Sequence, residues 1–169
     1  MKNYTREEIR ALAKKVAENH AKNCAGQPDI KGWDNNKRLS GKSLEEIAEK
    51  NDLTIKEVLE STVDLSTTKF EDLPPYWQQF NVFIAEDLIS LMNELGGESL
   101  ILALDLRDEG ICAQYGAEAH KCWLKKPENS WARNSQLSRP FLQLEKKQRE
   151  KEIQKLKILQ AWLMDSVSA

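Results

Sequence analysis

Apolar residues recur every three or four positions along most of this chain, which is the pattern of amphipathic helices. The first helix is predicted from Thr5 to Asn23: Glu8 completes a capping box with Thr5, and Gly26 and Pro28 end the segment. Its apolar stripe consists of Ile9, Leu12, Ala13, Val16, His20 and Cys24. Further helices are predicted over 43–60, which is capped at Ser43 and broken at 51–52 before a second capping box at Thr54 and Glu57, and over 76–95, 114–125 and 141–164.

Periodicity does not decide whether the stretch from Ser99 to Cys112 is a strand or a helix. Its run Leu100–Leu104 suits a strand or a buried helix, and the charged residues that follow favour a continuing helix ended by Gly110. With at most this one strand, the predicted fold class is all-α or nearly so. In the last helix, the charged run Glu145–Glu152 is interpreted as a solvated face with pairs of opposite charge four residues apart.

One pattern of residues occurs twice. Each copy has a late-helix A-E-x-H, then an F-x-x-L that is predicted to open a long helix. The first copy is 17–20 and 70–73, followed by Trp77 and Asn81, and the second is 117–120 and 141–144, followed by Gln148 and Glu152. The repeat predicts two pseudo-symmetric helix–loop–helix halves, 5–95 and 98–165, within one domain spanning 1–169.

The two halves differ mainly in the distance from the histidine to the phenylalanine. It is 50 residues in the first half, from His20 to Phe70, and 21 in the second, from His120 to Phe141. The difference is close to the length of the segment over 43–60 with its loops. We therefore interpret residues 35–65 as a helical-hairpin insertion into the first half.

Composition narrows the classes of function. A net charge of -2 over 169 residues lacks the basic excess of most nucleic-acid binders, so a nucleic-acid partner is not expected. No apolar run approaches the roughly 18 residues of a membrane span, and the N-terminus turns polar and helical at once, so we expect a cytoplasmic protein. Cys24, Cys112 and Cys122 show no C-x-x-C spacing. They are predicted to be reduced thiols, and we expect neither a metal nor a cofactor.

The order of these motifs resembles that of the ryanodine-receptor (RyR) domains of bacterial and phage proteins. The first half matches through His20 and the aromatic-E-D-x-P-x-W stretch 70–77. The second half resembles the family's H-x-x-W-L at 120–124 and its proline-aromatic helix start at 140–144, with the charged residues 148–152 beyond. The resemblance covers most of the chain outside the insertion, and it implies a pseudo-two-fold helical domain.

The resemblance also implies a function. Prokaryotic members have been suggested to sense small nucleotide-like ligands or to serve as interaction modules. In place of the family's glycine-rich loop this chain has 126–134, in which only Trp131 corresponds. If that loop helps to hold a ligand, the ligand of this chain differs or has been lost.

The leading hypothesis is a non-catalytic module that binds a small ligand or a protein partner at the seam between the halves. The candidate ligand-binding residues are His20, Trp77, His120, Trp123, Trp131 and Arg133. Aromatic rings with an arginine can stack a base and pair with a phosphate. The alternative for Trp77 and Trp123 is core packing, and for each histidine a hydrogen bond to a carbonyl or carboxylate of another segment.

Two further classes of function remain open. A helix-turn-helix DNA reader is conceivable over 43–61, with Thr54 and Lys56 as its contacts, but Glu57 and Glu60 would face phosphate. The other is an enzyme with a His/carboxylate site. The sequence has no G-x-S-x-G, H-E-x-x-H, P-loop or dinucleotide-binding motif, and no pattern marks a nucleophile, so an enzyme is not expected. A homodimer through the C-terminal helix, which ends in Trp162, Leu163 and Met164, is also predicted as an option.

Overall fold

The computed structural model describes residues 2–25, 48–49, 52, 54, 56–57 and 65–168. All regular structure within these ranges is helical, which confirms the all-α fold class. The chain forms two compact units: the first unit comprises residues 5–85, and the second unit comprises residues 1–4 and 86–169. The division into halves at 95–98 and the pseudo-two-fold relation stay predictions.

The described helices reproduce most of the predicted ones. The α-helices are α1 (Arg6–Ala25), α2 (Pro75–Leu95), α3 (Glu98–Ala103), α4 (Glu109–Lys125) and α5 (Lys146–Ser168). Short 3-10 helices are η1 (Phe70–Asp72), η2 (Pro127–Asn134), η3 (Gln136–Ser138) and η4 (Phe141–Gln143). The predicted loop between α4 and α5 is therefore a series of 3-10 turns.

Helix α1 begins at its predicted capping box. The Thr5 backbone N–H donates to Glu8 Oε2 at 2.7 Å, and the Glu8 N–H donates to Thr5 Oγ1 at 3.2 Å. This reciprocal pair satisfies two N–H groups that a helix start otherwise leaves without partners. Along the helix, Leu12, Ala13 and Val16 are buried in the first unit, as the stripe predicts.

The insertion is described at only a few positions. Thr54 and Glu57 form the second predicted capping box, with distances of 2.6 and 3.1 Å. The Ser43 cap and most of the segments 35–65 and 43–61 lie outside the described residues. The helix-turn-helix hypothesis therefore stays a prediction.

The stretch from Ser99 to Cys112 is two helices with a turn between them, so the predicted continuous helix ending at Gly110 is wrong. Helix α3 ends at Ala103, and Asp108 caps α4 by accepting a hydrogen bond from the Ile111 N–H at 3.0 Å. The side chain of Gln160 on α5 donates to the carbonyls of Ile101 (3.0 Å) and Leu104 (2.7 Å). Because a distant helix satisfies these carbonyls, the short helix can stop there.

The F-x-x-L copies do not open the long helices, which corrects the sequence prediction. Phe70 and Phe141 each begin a separate 3-10 turn, closed by a hydrogen bond from the leucine N–H to the phenylalanine carbonyl at 3.2 and 3.1 Å. The long helix then starts five residues after each phenylalanine, at 75 and at 146. Phe70, Leu73, Phe141 and Leu144 are all buried. The two copies thus share one local structure.

The second unit is built around α5. Helices α3 and α4 pack against it, and η4 packs against α4. Its buried apolar residues include Leu91, Met92, Ile101, Leu104, Ala119, Phe141, Leu144, Leu156, Leu159, Trp162 and Leu163. Of the three C-terminal residues predicted to support a homodimer, Trp162 and Leu163 are thus used inside the unit, and Met164 is exposed. The dimer stays a prediction.

A Gly116→Ala substitution tests the packing of η4 on α4. A Cβ added at Gly116 would lie 2.6 Å from Phe141 Cζ, closer than carbon atoms approach without displacement. We expect Gly116→Ala to lower the free energy of unfolding by about 1–3 kcal/mol, measured by urea denaturation. The same substitution in a Phe141→Leu background should cost distinctly less, because the shorter side chain leaves room. Equal costs in the two backgrounds would contradict this contact.

Candidate functional site

Four of the six predicted site residues lie in the second unit, and three of them form a continuous row of rings. His120 and Trp123, one turn apart on α4, stack with centroids 5.7 Å apart and an interplanar angle of 16°. Trp131 on η2 meets Trp123 edge-on, at 6.1 Å and 89°. His20 and Trp77 belong to the first unit. Within the second unit the row of rings is therefore the candidate site.

The turn that carries Trp131 is tied to the C-terminal end of α4. Arg133 Nε donates to the Leu124 carbonyl at 2.8 Å, and its Nη2 donates to the Lys125 carbonyl at 2.9 Å. Asn129 Nδ2 donates to the Trp123 carbonyl at 3.0 Å. These carbonyls belong to the last turn of the helix, beyond which the helical hydrogen bonding does not continue. The Trp123 carbonyl also accepts from the Lys126 N–H at 3.3 Å. Arg133 is thus a helix cap, although its side chain remains exposed.

Trp131 projects into solvent. It is 63% exposed, whereas Trp77 and Trp162 are each 2% exposed and Trp123 is half-buried. A tryptophan normally buries most of its large ring, and edge-to-face contact with Trp123 covers only part of this one. The ring therefore offers an open face on a turn whose backbone is held by side chains.

His120 lies behind this row and is buried. Its Nε2 is 2.6 Å from the Leu137 carbonyl oxygen on η3, and its Nδ1 is 3.4 Å from Glu152 Oε1 on α5. A carbonyl oxygen only accepts, so Nε2 carries a proton. The structural alternative for this histidine, bonding to a carbonyl and a carboxylate of other segments, is thereby confirmed.

Glu152 lies beside His120 in the candidate site, and its burial differs from the sequence prediction. The charged run 145–152 was predicted to be a solvated face, but Glu152 is 5% exposed. Its position on α5 faces α4, and its other oxygen accepts a hydrogen bond from Lys155 Nζ at 2.8 Å. One signal could have found it: Glu152 follows Phe141 by the same eleven positions that separate Asn81 from Phe70.

The first unit holds the corresponding pair. Burial lowers the pKa of His20, and hydrogen bonding to the Asn81 side chain partly offsets this by raising it. Asn81 is itself buried, and its Nδ2 donates to the Trp77 carbonyl at 2.8 Å. The Asn81 Oδ1 makes no hydrogen bond of full geometry with any described residue. Trp77 is a core residue here, packed edge-on against Phe80 at 5.4 Å.

The His120–Glu152 pair has the residue types that the enzyme alternative requires. Both side chains are buried, however, and each ring nitrogen already faces a protein oxygen. To act as a general base on a substrate, His120 would first have to release Leu137 or Glu152. The observed arrangement instead holds the ring in place.

Comparison of the chain with protein-family models, with curated proteins and with solved structures gives no match. In the part of the chain that the structure describes, no group of three or more His, Cys, Asp or Glu side chains could hold a metal ion. Over the same ranges, the helices lack the length and apolarity needed to cross a membrane.

The lowered pKa of His20 predicts how stability changes with pH. Below its ordinary pKa of 6.5 the histidine of the unfolded chain takes up a proton, whereas the buried ring of the folded chain resists it. The free energy of unfolding should therefore fall as the pH drops from about 7 to about 5. Urea denaturation over this range should show a smaller fall in His20→Gln. Parallel curves for the two proteins would contradict the assignment.

The Cys122 thiol is expected to react slowly with alkylating reagents. Burial, followed by the hydrogen bond and the charge of Glu94, raises the pKa of the Cys122 thiol from 9.0 to about 11. This two-unit shift lowers the thiolate fraction at pH 8 by roughly a hundredfold, so alkylation by iodoacetamide should be correspondingly slow. Peptide mass spectrometry measures the rate at each cysteine. Glu94→Gln should accelerate labelling of Cys122 and leave that of Cys112 unchanged.

Proposed function

We propose that this protein is a non-catalytic binding module whose ligand carries a flat ring and a negative charge. The ring stacks on Trp131. The observation that carries the proposal is the 63% exposure of Trp131 on a turn held by Arg133 and Asn129. A nucleotide-like small molecule is the ligand class that fits this description.

The rigidity of the turn supports a binding role for the ring. A tryptophan has only two side-chain torsions, so its large surface makes contact at low cost in conformational entropy. The backbone of η2 is held through three side-chain hydrogen bonds to the end of α4. Contacts that exist before binding do not have to be ordered during binding, and this favours affinity.

The local charge supports an anionic ligand. Between residues 125 and 139, the basic side chains Lys125, Arg133 and Arg139 make no ion pair with any described carboxylate. Lys126, in the same stretch, is paired with Asp87 at 3.2 Å. The protein as a whole has a net charge of -2, so this surplus of positive charge is local. A phosphate or carboxylate next to the stacked ring would be favoured here.

The resemblance to RyR domains supports the same class of function, since small nucleotide-like ligands are what it implies. The loop 126–134, in which the chain departs from the family pattern, is also the segment that carries Trp131 and Arg133. We therefore infer a ligand particular to this chain. A protein partner that inserts an aromatic or acidic side chain is the second candidate, favoured by the same exposed ring.

A thermal-shift screen with nucleotides, cyclic nucleotides and ADP-ribose-type compounds tests the proposal. A ligand present at a hundred times its dissociation constant should stabilise the folded state by about 2.7 kcal/mol. For a chain of this size the melting temperature should rise by roughly 2–4 °C. The shift should saturate with concentration and weaken with salt, since the contact with the anion is electrostatic.

Matched variants locate the site. Trp131→Ala should abolish the ligand-induced shift, and Arg133→Ala should reduce it. Leu142→Ala is the control, because Leu142 is an exposed apolar side chain (70%) of the same unit that lies on a different turn, η4. An equal loss in Leu142→Ala, or no shift with any compound, would reject the small-ligand proposal. The latter result would leave the protein partner as the next hypothesis, to be tested by pull-down.

A further inference from the structure

We propose that Glu152 is a positioning residue for the Trp131 site, which it reaches through His120 without touching the ligand. The inference rests on the proposed function for its effect on binding. Its structural basis is independent of the ligand. Four segments meet in this arrangement: α4, α5, η2 and η3.

The first step is the contact between Glu152 and His120. Both side chains are 5% exposed, so neither group is satisfied by bulk water. The Leu137 carbonyl fixes the proton on Nε2, which leaves Nδ1 facing Glu152 Oε1 at 3.4 Å. This contact is favourable only when a proton lies between the two atoms, on the ring or on the carboxyl group. Glu152 therefore acts together with the Leu137 carbonyl to set the orientation of the ring.

The second step runs from His120 to the exposed ring. The face of the imidazole stacks on Trp123, so a rotated or displaced imidazole would no longer support that indole. Trp123 in turn meets Trp131 at an angle of 89°. Edge-to-face contacts depend on the position of both rings, since the positive edge of one ring lies against the negative face of the other. Displacement of His120 should therefore also change the position of the Trp131 ring.

The third step is the backbone of the site. The hydrogen bond from His120 Nε2 to Leu137 holds η3, which follows η2 directly in the chain. Within η3, the Leu137 N–H donates to Ser135 Oγ at 3.1 Å, and the Ser135 hydroxyl donates to the Ala132 carbonyl at 2.7 Å. Ala132 adjoins Trp131 and is fully buried. His120 thus supports the site in two ways: its ring packs against the Trp123–Trp131 pair, and its hydrogen bond to Leu137 holds the backbone of the turn that carries Trp131.

The first unit indicates which substitution should preserve this role. At the corresponding position, eleven residues after Phe70, the partner of His20 is the neutral amide of Asn81. A carboxamide can donate to Nδ1 of a ring whose proton is on Nε2. Glu152→Gln should therefore keep His120 in place, whereas Glu152→Met, similar in length and unable to hydrogen-bond strongly, should not.

The test compares these two variants by NMR. The chain has two histidines and five tryptophans, so His20→Gln assigns the ring of His120, and Trp123→Phe and Trp131→Phe assign the two indole N–H signals that the test follows. We expect Glu152→Met to shift or broaden the Trp123 and Trp131 indole N–H signals and to change the ¹⁵N shifts of His120. Glu152→Gln should restore the indole signals. With ADP as the titrated probe, affinity should fall about tenfold in the Met variant and recover in the Gln variant.

Gln160→Met is the matched control. It removes two hydrogen bonds from the same helix, those to the Ile101 and Leu104 carbonyls, at a position eight residues beyond Glu152 where α5 contacts the end of α3. It should leave the Trp131 signal in place. An equal shift in Gln160→Met would show that any loosening of α5 disturbs the ring, and would overturn the proposal.

The outcomes separate this inference from the proposed function. If ADP does not bind but the indole and His120 signals respond as expected, that ligand is rejected and the positioning role stands. If Glu152→Met folds with unchanged indole signals, or Glu152→Gln fails to restore them, the positioning role is overturned whatever ADP does. Should the Met variant not fold, Glu152→Gln alone decides, since the proposal requires it to keep wild-type indole signals.

Discussion

The hydrogen bond from His120 to the Leu137 carbonyl is the interaction on which the described part of the second unit most depends. It joins α4 to the 3-10 turns at 2.6 Å, inside a region from which water is largely excluded. On the other side of the same ring, Nδ1 contacts Glu152 Oε1, which belongs to α5. One buried imidazole therefore connects three successive segments of the chain. Buried polar groups require partners, so these segments are held in a single arrangement.

The repeat has a physical counterpart within each unit. In both copies a phenylalanine opens a 3-10 turn, the long helix starts five residues later, and the residue eleven positions on is the polar partner of the late-helix histidine. The copies differ in that partner: Asn81 is neutral and Glu152 carries a carboxyl group. The second copy lies in the unit that carries the exposed Trp131. The proposed site is therefore assigned to the second copy.

The candidate site combines a rigid base with an open surface. Arg133 caps α4, so its positive charge lies at the helix end where carbonyl dipoles favour a cation. The same hydrogen bonds fix the turn from which Trp131 projects. A residue proposed for ligand binding thus has a structural role that does not remove it from solvent. Loops held by side chains in this way position contact residues well because little order has to be gained on binding.

The sequence by itself determined the local features of this protein. The helical class, the capping boxes at Thr5 and Thr54 and the repeated histidine are visible because capping and periodicity depend on residues three or four positions apart. The burial of Glu152, the end of α3 beneath Gln160 and the exposure of Trp131 were decided by the tertiary structure alone. Each of these depends on which distant segment packs over the residue. A charged run on a helix is predicted to be exposed from sequence, and only the packing of another helix against it shows which of its residues are buried.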